Sequence, residues 1–223
     1  MDKKLLAGAI TKFLSGLLLM GLLLFLPAGT FAWPDGWLLM GILFVPMFLA
    51  GLVMLWKSPE LLRRRLNAKE EQTEQKQVIA LSGLMFLAIF VLAGLNFRFG
   101  WIGMPRWIVW TAAGLFLLGY LLFAEVLREN TWLSRTVEVQ EHQTVVDTGL
   151  YGVVRHPMYL ATVLLFLSMP LVLSSPLSFL VSLLYLPIIA KRIRSEETVL
   201  EQGLAGYAEY KKRVKFRLLP GIW

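Results

Sequence analysis

The sequence of 223 residues contains no cysteine and only two histidines, His142 and His156. The absence of cysteine excludes disulfide bonds, thiolate metal sites and a cysteine nucleophile. A metal site built from several histidines is not expected either, because zinc sites take three or four protein ligands. We therefore predict a protein without a bound metal.

Charged residues are also scarce, at 17% of the chain, whereas hydrophobic residues make up 57%. Soluble domains carry about 25% charged residues. The apolar residues form long runs, and about 20 apolar helical residues are needed to cross a bilayer. The composition indicates one integral membrane domain over residues 1–223. We attribute the net charge of +7 to the loops of such a protein and not to nucleic-acid binding.

Four apolar runs predict transmembrane helices within residues 1–127. The apolar region 158–190 is interrupted by Pro170, Ser174, Ser175 and Pro176, so it predicts a tight helical hairpin with arms short for a complete span. The first run is too long for the core of a signal peptide, and we expect it to remain as a span. The fold class is all-α and polytopic, with a loop, a hairpin and a helical tail in residues 128–223. The predicted spans are 5–26, 37–56, 78–97 and 107–127, and the hairpin arms are 158–173 and 177–190.

Lysine and arginine are unevenly distributed among the loops, and this distribution predicts the orientation. The segment 57–77 holds six basic residues, including Lys69 and Lys76, and the tail from Lys191 onward holds eight. The turn between the first two spans holds none. We expect the basic segments, and with them both termini, to face the cytoplasm.

The stretch GLYGVVRHPMYL, residues 149–160, places Arg155, His156 and Pro157 at the mouth of the hairpin. A residue before proline avoids the α-helical region, and proline suits the first turn of a helix. We therefore expect His156 at the N-cap of the following helix. The free N–H groups at that helix end favour an anion. A simple helix start beside an interfacial arginine explains these residues equally well.

We expect the return arm to continue as a helix into KRIRSEETVLEQGLAGYAEYKKRV at the same membrane face. Arg192 and Glu196 are four residues apart, so a helix-surface ion pair would account for them. The hairpin topology, however, brings them and Glu197 close to the RHP stretch. Two tyrosines, Tyr207 and Tyr210, follow in the tail.

From Gly149 to Pro220 the chain resembles the isoprenylcysteine carboxyl methyltransferase and phospholipid methyltransferase superfamily of membrane enzymes. The resemblance rests on the order G-x-Y-x-x-x-R-H-P-x-Y, a helical hairpin, R-x-R-x-E-E, then G-x-x-Y-x-x-Y-x-x-x-V and a terminal Leu-Pro. Residues 1–148 match only as apolar spans and say least about the substrate. The matching residues are Gly149, Tyr151, Arg155, His156, Pro157, Tyr159, Arg192, Arg194, Glu196, Glu197, Gly206, Tyr207, Tyr210, Val214, Leu219 and Pro220.

This resemblance implies S-adenosylmethionine as the methyl donor, bound at the cytoplasmic face. The Arg155 guanidinium or the helix N-terminus suits the donor's carboxylate, and either Glu196 or Glu197 suits its ammonium group. Tyrosine rings suit its adenine or its sulfonium. The implied cofactor-binding residues are Tyr151, Arg155, His156, Pro157, Tyr159, Arg194, Glu196, Tyr207 and Tyr210.

Arg192 and Glu197 are the implied catalytic residues. A carboxylate acceptor needs no base, and Arg192 or Arg194 would orient it. An amine acceptor must lose a proton, which Glu197 or Glu196 would accept. The apolar spans suggest a lipid-like acceptor that enters from the bilayer. The lead hypothesis is the carboxylate of a prenylated cysteine, and a phospholipid amine or a small hydrophobic thiol remains an alternative.

Two further functional classes remain as alternatives to a methyltransferase. NADPH-dependent membrane sterol reductases have a similar R-H-P-N-Y-like loop and an ending similar to PGIW. Position 158, however, is Met158, where those enzymes usually have asparagine. A non-catalytic scaffold or transporter is the other class, although the first three spans contain almost no ionisable residue to line a path.

Overall fold

The computed structural model describes residues 3–66, 73–134 and 139–223, and the side chains of 73–76 lie outside this description. Lys69 and the side chain of Lys76, which contributed to the predicted orientation, therefore fall outside the described part. The described residues form nine α-helices and one 3₁₀ turn, without strands. The helices are α1 (Lys3–Ala28), α2 (Pro34–Lys57), α3 (Pro59–Leu66), α4 (Thr73–Phe99), α5 (Arg106–Glu129), α6 (Pro157–Val172), α7 (Pro176–Ser182), α8 (Tyr185–Gly203) and α9 (Tyr207–Arg213).

Among the described residues, five segments are long and apolar enough to cross a membrane, which confirms the prediction of an all-α polytopic membrane protein. Helices α1, α2, α4 and α5 contain the four predicted spans. Large apolar side chains such as Leu18, Trp56 and Leu121 are exposed on the outer faces of these helices, where lipid would cover them. The fifth segment, Pro176–Gly203, comprises α7 and α8.

The hairpin is present, its first arm agrees with the predicted 158–173 to within one residue, and its return arm continues as a helix as expected, with one unpredicted break. The first arm, α6, has 16 residues. The return arm breaks at Leu183–Leu184 and then continues as α8 through the RIRSEE stretch, so the whole arm is 28 residues long. Proline at the first position of α6 and α7 fixes φ where a missing N–H has no cost, which explains why both helices begin there.

Glycines allow two pairs of helices to pack closely. A Cβ atom at Gly94 of α4 would lie 2.9 Å from the backbone oxygen of Leu24 in α1. A Cβ atom at Gly119 of α5 would lie 2.9 Å from the Leu165 side chain in α6. The resulting core includes Phe116 at its centre and fixes α6, which carries the RHP stretch at its N-terminus.

Candidate functional site

The loop before α6 is shaped by a carboxylate of α5. Gly149 has φ +49°, and a Cβ atom there would lie 1.7 Å from a carboxylate oxygen of Glu129. That carboxylate accepts a hydrogen bond of 3.0 Å from the backbone N–H of Leu150. Only glycine fits this left-handed, crowded position. The 3₁₀ turn that follows buries Tyr151, whose hydroxyl accepts a hydrogen bond of 2.9 Å from Asn130 Nδ2.

The tail after α9 pairs with the RHP stretch through the backbone. The N–H groups of Arg155 and His156 donate to the carbonyl oxygens of Phe216 and Arg217, each at 2.9 Å. The Arg155 side chain adds hydrogen bonds from Nη1 to the carbonyl oxygens of residues 214 and 215, at 2.7 and 2.8 Å. The tail therefore forms part of the same site.

The carboxylate of Glu197 lies at the centre of these segments, with its side chain 3% exposed. Arg155 Nε donates to its Oε1 at 2.7 Å, and His156 Nε2 lies 3.3 Å from the same oxygen. Arg217 Nε donates to its Oε2 at 2.9 Å. Both oxygens are thus occupied by protein groups, and one carboxylate joins the loop before α6, helix α8 and the tail.

The neighbouring carboxylate, Glu196, has a different environment. The hydroxyl of Tyr159 donates to its Oε2 and accepts a hydrogen bond of 2.9 Å from Arg192 Nε. Glu196 and Arg192 are half-buried and line a cavity, whereas Glu197 lies behind the cavity wall. The side chain available to a ligand is therefore Glu196.

The cavity lies between α8, the loop before α6, α9 and the two segments 130–134 and 143–146. It encloses about 840 Å³ that protein atoms do not fill, part of it open to solvent. Its wall combines aromatic rings, amides and charged groups. The lining includes Asn130, Trp132, Gln143, Thr144, Tyr151, Arg155, His156, Tyr159, Arg192, Glu196, Tyr207 and Tyr210.

Two tyrosines of α9 face this cavity with different hydrogen bonding. The hydroxyl of Tyr210 donates to the carbonyl oxygen of Tyr151 at 2.8 Å. The hydroxyl of Tyr207 is buried and has no hydrogen-bond partner among the described residues. Burial, with the nearby charges of Glu197 and Glu196, raises the pKa of Tyr207, so its phenol stays protonated as a donor.

Eight of the predicted site residues line the cavity: Tyr151, Arg155, His156, Tyr159, Arg192, Glu196, Tyr207 and Tyr210. Pro157 is instead the first residue of α6. Glu197 lies outside the cavity lining and accepts a hydrogen bond from Arg155, which does line the cavity. Arg194 is exposed on another face of α8, beside Lys191 and Thr198.

The sequence analysis missed several contributors. Arg217 was part of the apolar, aromatic ending RLLPGIW, where its charge was the only signal. Asn130, Trp132, Gln143 and Thr144 come from a polar loop without periodicity, so nothing in the sequence pointed to them.

Residues 109–202 match the family model of the Isoprenylcysteine carboxyl methyltransferase (ICMT) family. This segment is therefore similar to the ICMT-type membrane methyltransferases. The match includes the RHP stretch and both glutamates but ends before Tyr207, Tyr210 and Arg217. The family match supports a resemblance to membrane methyltransferases, and the spanning helices indicate an integral membrane protein.

The chain is also similar to a characterised bacterial protein. It is 28% identical over 130 residues to the "Cobalt-zinc-cadmium resistance protein CzcN" of Cupriavidus metallidurans. The aligned region covers 56% of this chain and 56% of that relative. The match thus extends over about half of each protein.

We predict that Glu197→Gln destabilises the protein, because it leaves the buried Arg155 without its counter-charge. Breaking a buried ion pair costs about 3–5 kcal/mol, and the melting temperature should fall by about 6 °C or more. The measurement is thermal unfolding in detergent. Glu201→Gln is the matched control. Glu201 lies in the same helix as Glu197, α8, but its ion pair with Lys211 of α9 is at the protein surface. Equal melting temperatures for the two variants would contradict the central role of Glu197.

Proposed function

We propose that this protein is an S-adenosylmethionine-dependent methyltransferase that acts at the cytoplasmic membrane face on a lipid-like acceptor. The lead acceptor is the carboxylate of a prenylated cysteine. Residues 1–127 supply transmembrane helices, and residues 128–223 supply the cofactor site as part of the same single domain. Both termini lie on the cytoplasmic side in this proposal, together with the cavity.

The observation that carries the proposal is the unsatisfied polar surface of the cavity. Oxygen Oε1 of Glu196 and the hydroxyl of Tyr207 have no hydrogen-bond partner among the described residues. Nη2 of Arg155 likewise makes no hydrogen bond within the described chain. Of these three groups, the Tyr207 hydroxyl is the one that is fully buried. A buried donor without a partner costs about 1–3 kcal/mol, so a polar ligand that accepts its hydrogen bond would stabilise this wall.

These groups fit S-adenosylmethionine chemically. The carboxylate of Glu196 suits an ammonium group, and the guanidinium of Arg155 suits a carboxylate. The rings of Tyr159, Tyr207 and Tyr210 suit an adenine or a sulfonium through stacking and cation–π contacts. Tyr151, His156 and Pro157 shape the entry of α6 in this arrangement, and the exposed position of Arg194 leaves it a peripheral role.

When bound, S-adenosylmethionine supplies an electrophilic methyl group, whose bond to sulfur breaks as a new bond forms to the acceptor. Arg192 orients an acceptor carboxylate, and the hydrogen bond to Tyr159 restrains the guanidinium for that task. Glu197 supports the reaction by fixing Arg155 and His156. An acceptor amine must lose a proton during methyl transfer. The carboxylate of Glu196 is the group available to accept that proton.

The membrane environment favours a lipid-like acceptor. The cavity lies at the end of α6 and α8, and both helices continue into the apolar bundle. An acceptor with a long apolar chain could remain among the spans while its polar end reaches Arg192. Exclusion of water around the nucleophile would then assist the displacement.

S-adenosylhomocysteine should raise the melting temperature of the detergent-solubilised protein, because it binds only the folded state. At a hundredfold excess over its Kd, a ligand contributes about 2.7 kcal/mol, which corresponds to a rise of about 5–10 °C. NADPH is the matched comparison. A rise with NADPH and none with S-adenosylhomocysteine would favour a reductase and reject the proposal.

Labelled methyl transfer should be faster to a prenylcysteine analogue than to an ethanolamine phospholipid. The reason is that Arg192 faces the cavity and complements a carboxylate, which needs no deprotonation. The assay compares both acceptors in the same lipid vesicles, with a hydrophobic thiol as a third arm. Preferential labelling of the phospholipid would retain the methyltransferase but reject the lead acceptor.

Tyr207→Phe should weaken S-adenosylhomocysteine binding about fivefold or more without lowering the melting temperature. Its hydroxyl bonds to no described residue, so its loss removes a ligand contact and no contact within the described chain. Tyr210→Phe is the matched control and should lower the melting temperature, because that hydroxyl bonds to Tyr151. Unchanged affinity in Tyr207→Phe would show that this hydroxyl does not contact the donor.

A further inference from the structure

The short helix α3 carries three consecutive arginines that lie in different environments. Leu61 and Leu62 are buried where α3 packs against α1 and α2. Arg63 is exposed, and its Nε lies 3.8 Å from a carboxylate oxygen of Glu60 in the same helix. Arg64, in contrast, is half-buried. Its side chain therefore packs against other parts of the protein, besides adding positive charge to the loop.

Arg64 and Arg65 bind the segment that follows α5. Arg64 Nη1 donates to the carbonyl oxygen of Thr131 at 2.9 Å, and its guanidinium carbon lies 5.1 Å from the centre of the Trp132 ring. Arg65 Nη1 donates to the carbonyl oxygen of Ser134 at 3.4 Å. One helix from the first half of the chain therefore holds residues 131–134 by their backbone and by an aromatic ring.

The segment held by α3 is also a wall of the cavity. Trp132 lines the cavity, and its N–H donates to Asn130 Oδ1 at 3.0 Å. Asn130 in turn donates from Nδ2 to the hydroxyl of Tyr151, a proposed cofactor residue. Gln140 Nε2 donates to the carbonyl oxygen of Trp132 at 2.6 Å and fixes the wall from the other side. A continuous chain of contacts thus runs from Arg64 to the site.

We propose that Arg64 is a positioning residue for the donor site, because it fastens Trp132 and the 130–134 wall to helix α3. The effect on donor binding rests on the proposed function, whereas the effect on the wall does not. Arg64 lies outside the segment that matches the ICMT family. The inference therefore gives the membrane half of the chain a part in shaping the methyltransferase site.

The test compares Arg64→Gln with Arg63→Gln, which removes the same charge from the same helix and thus has the same effect on membrane orientation. Arg64→Gln should weaken S-adenosylhomocysteine binding about tenfold by calorimetry, because it loses a charge-assisted hydrogen bond and a cation–π contact. Arg63→Gln should bind like the wild type. Arg64→Lys should recover binding only in part, since lysine keeps the charge but not the planar, stacked guanidinium.

Hydrogen exchange of the peptide spanning residues 130–134 provides a readout that needs no ligand. Exchange should be faster in Arg64→Gln than in Arg63→Gln and the wild type. If the wild type does not bind S-adenosylhomocysteine, the proposed function fails while exchange still tests the contact. If the wild type binds and the two glutamine variants match in affinity or in exchange, the role of Arg64 is rejected.

Discussion

The structure of the site depends on one buried carboxylate. Glu197 receives hydrogen bonds from Arg155 in the loop before α6 and from Arg217 in the tail, and His156 lies against the same group. Each of these charges would be costly to bury alone, since desolvation of an unpaired ion exceeds several kcal/mol. In the structure, the negative charge of Glu197 offsets the positive charges of Arg155 and Arg217. The three segments can therefore pack only as a set, and the backbone pairing of residues 155–156 with 216–217 follows from this arrangement.

The two adjacent glutamates divide structural and ligand-facing roles because of helix geometry. Successive residues of an α-helix point about 100° apart, so Glu196 and Glu197 cannot face the same space. Glu197 points towards the loop and the tail, where cations occupy both oxygens. Glu196 points into the cavity, with one oxygen bound by Tyr159. The same geometry separates Arg192 from Arg194, which are about 200° apart, and explains why only Arg192 reaches the cavity.

The sequence predicted those features that depend on hydropathy or on motifs in a fixed order. Long apolar runs predicted the spans, and the ordered motifs predicted eight of the residues that line the cavity. The sequence could not show which helical face of α8 would meet the loop, so Glu196 and Glu197 remained interchangeable. It also could not predict Arg217, whose partner is 20 residues away. The break at Leu183–Leu184 escaped prediction as well, because two leucines are not a helix-breaking signal.

The unpartnered hydroxyl of Tyr207 is the feature that packing alone explains least. Most buried polar groups in proteins have a hydrogen-bond partner, and an unmade bond costs about 1–3 kcal/mol. Tyr210, three residues later in the same helix, does satisfy its hydroxyl through the carbonyl of Tyr151. The two tyrosines share α9 and the cavity, so local geometry does not prevent such bonds. A phenylalanine would fill the position of Tyr207 without this cost. In the proposed function, the ligand supplies the partner of this hydroxyl, and this contact would link the tail to the chemistry of the cavity.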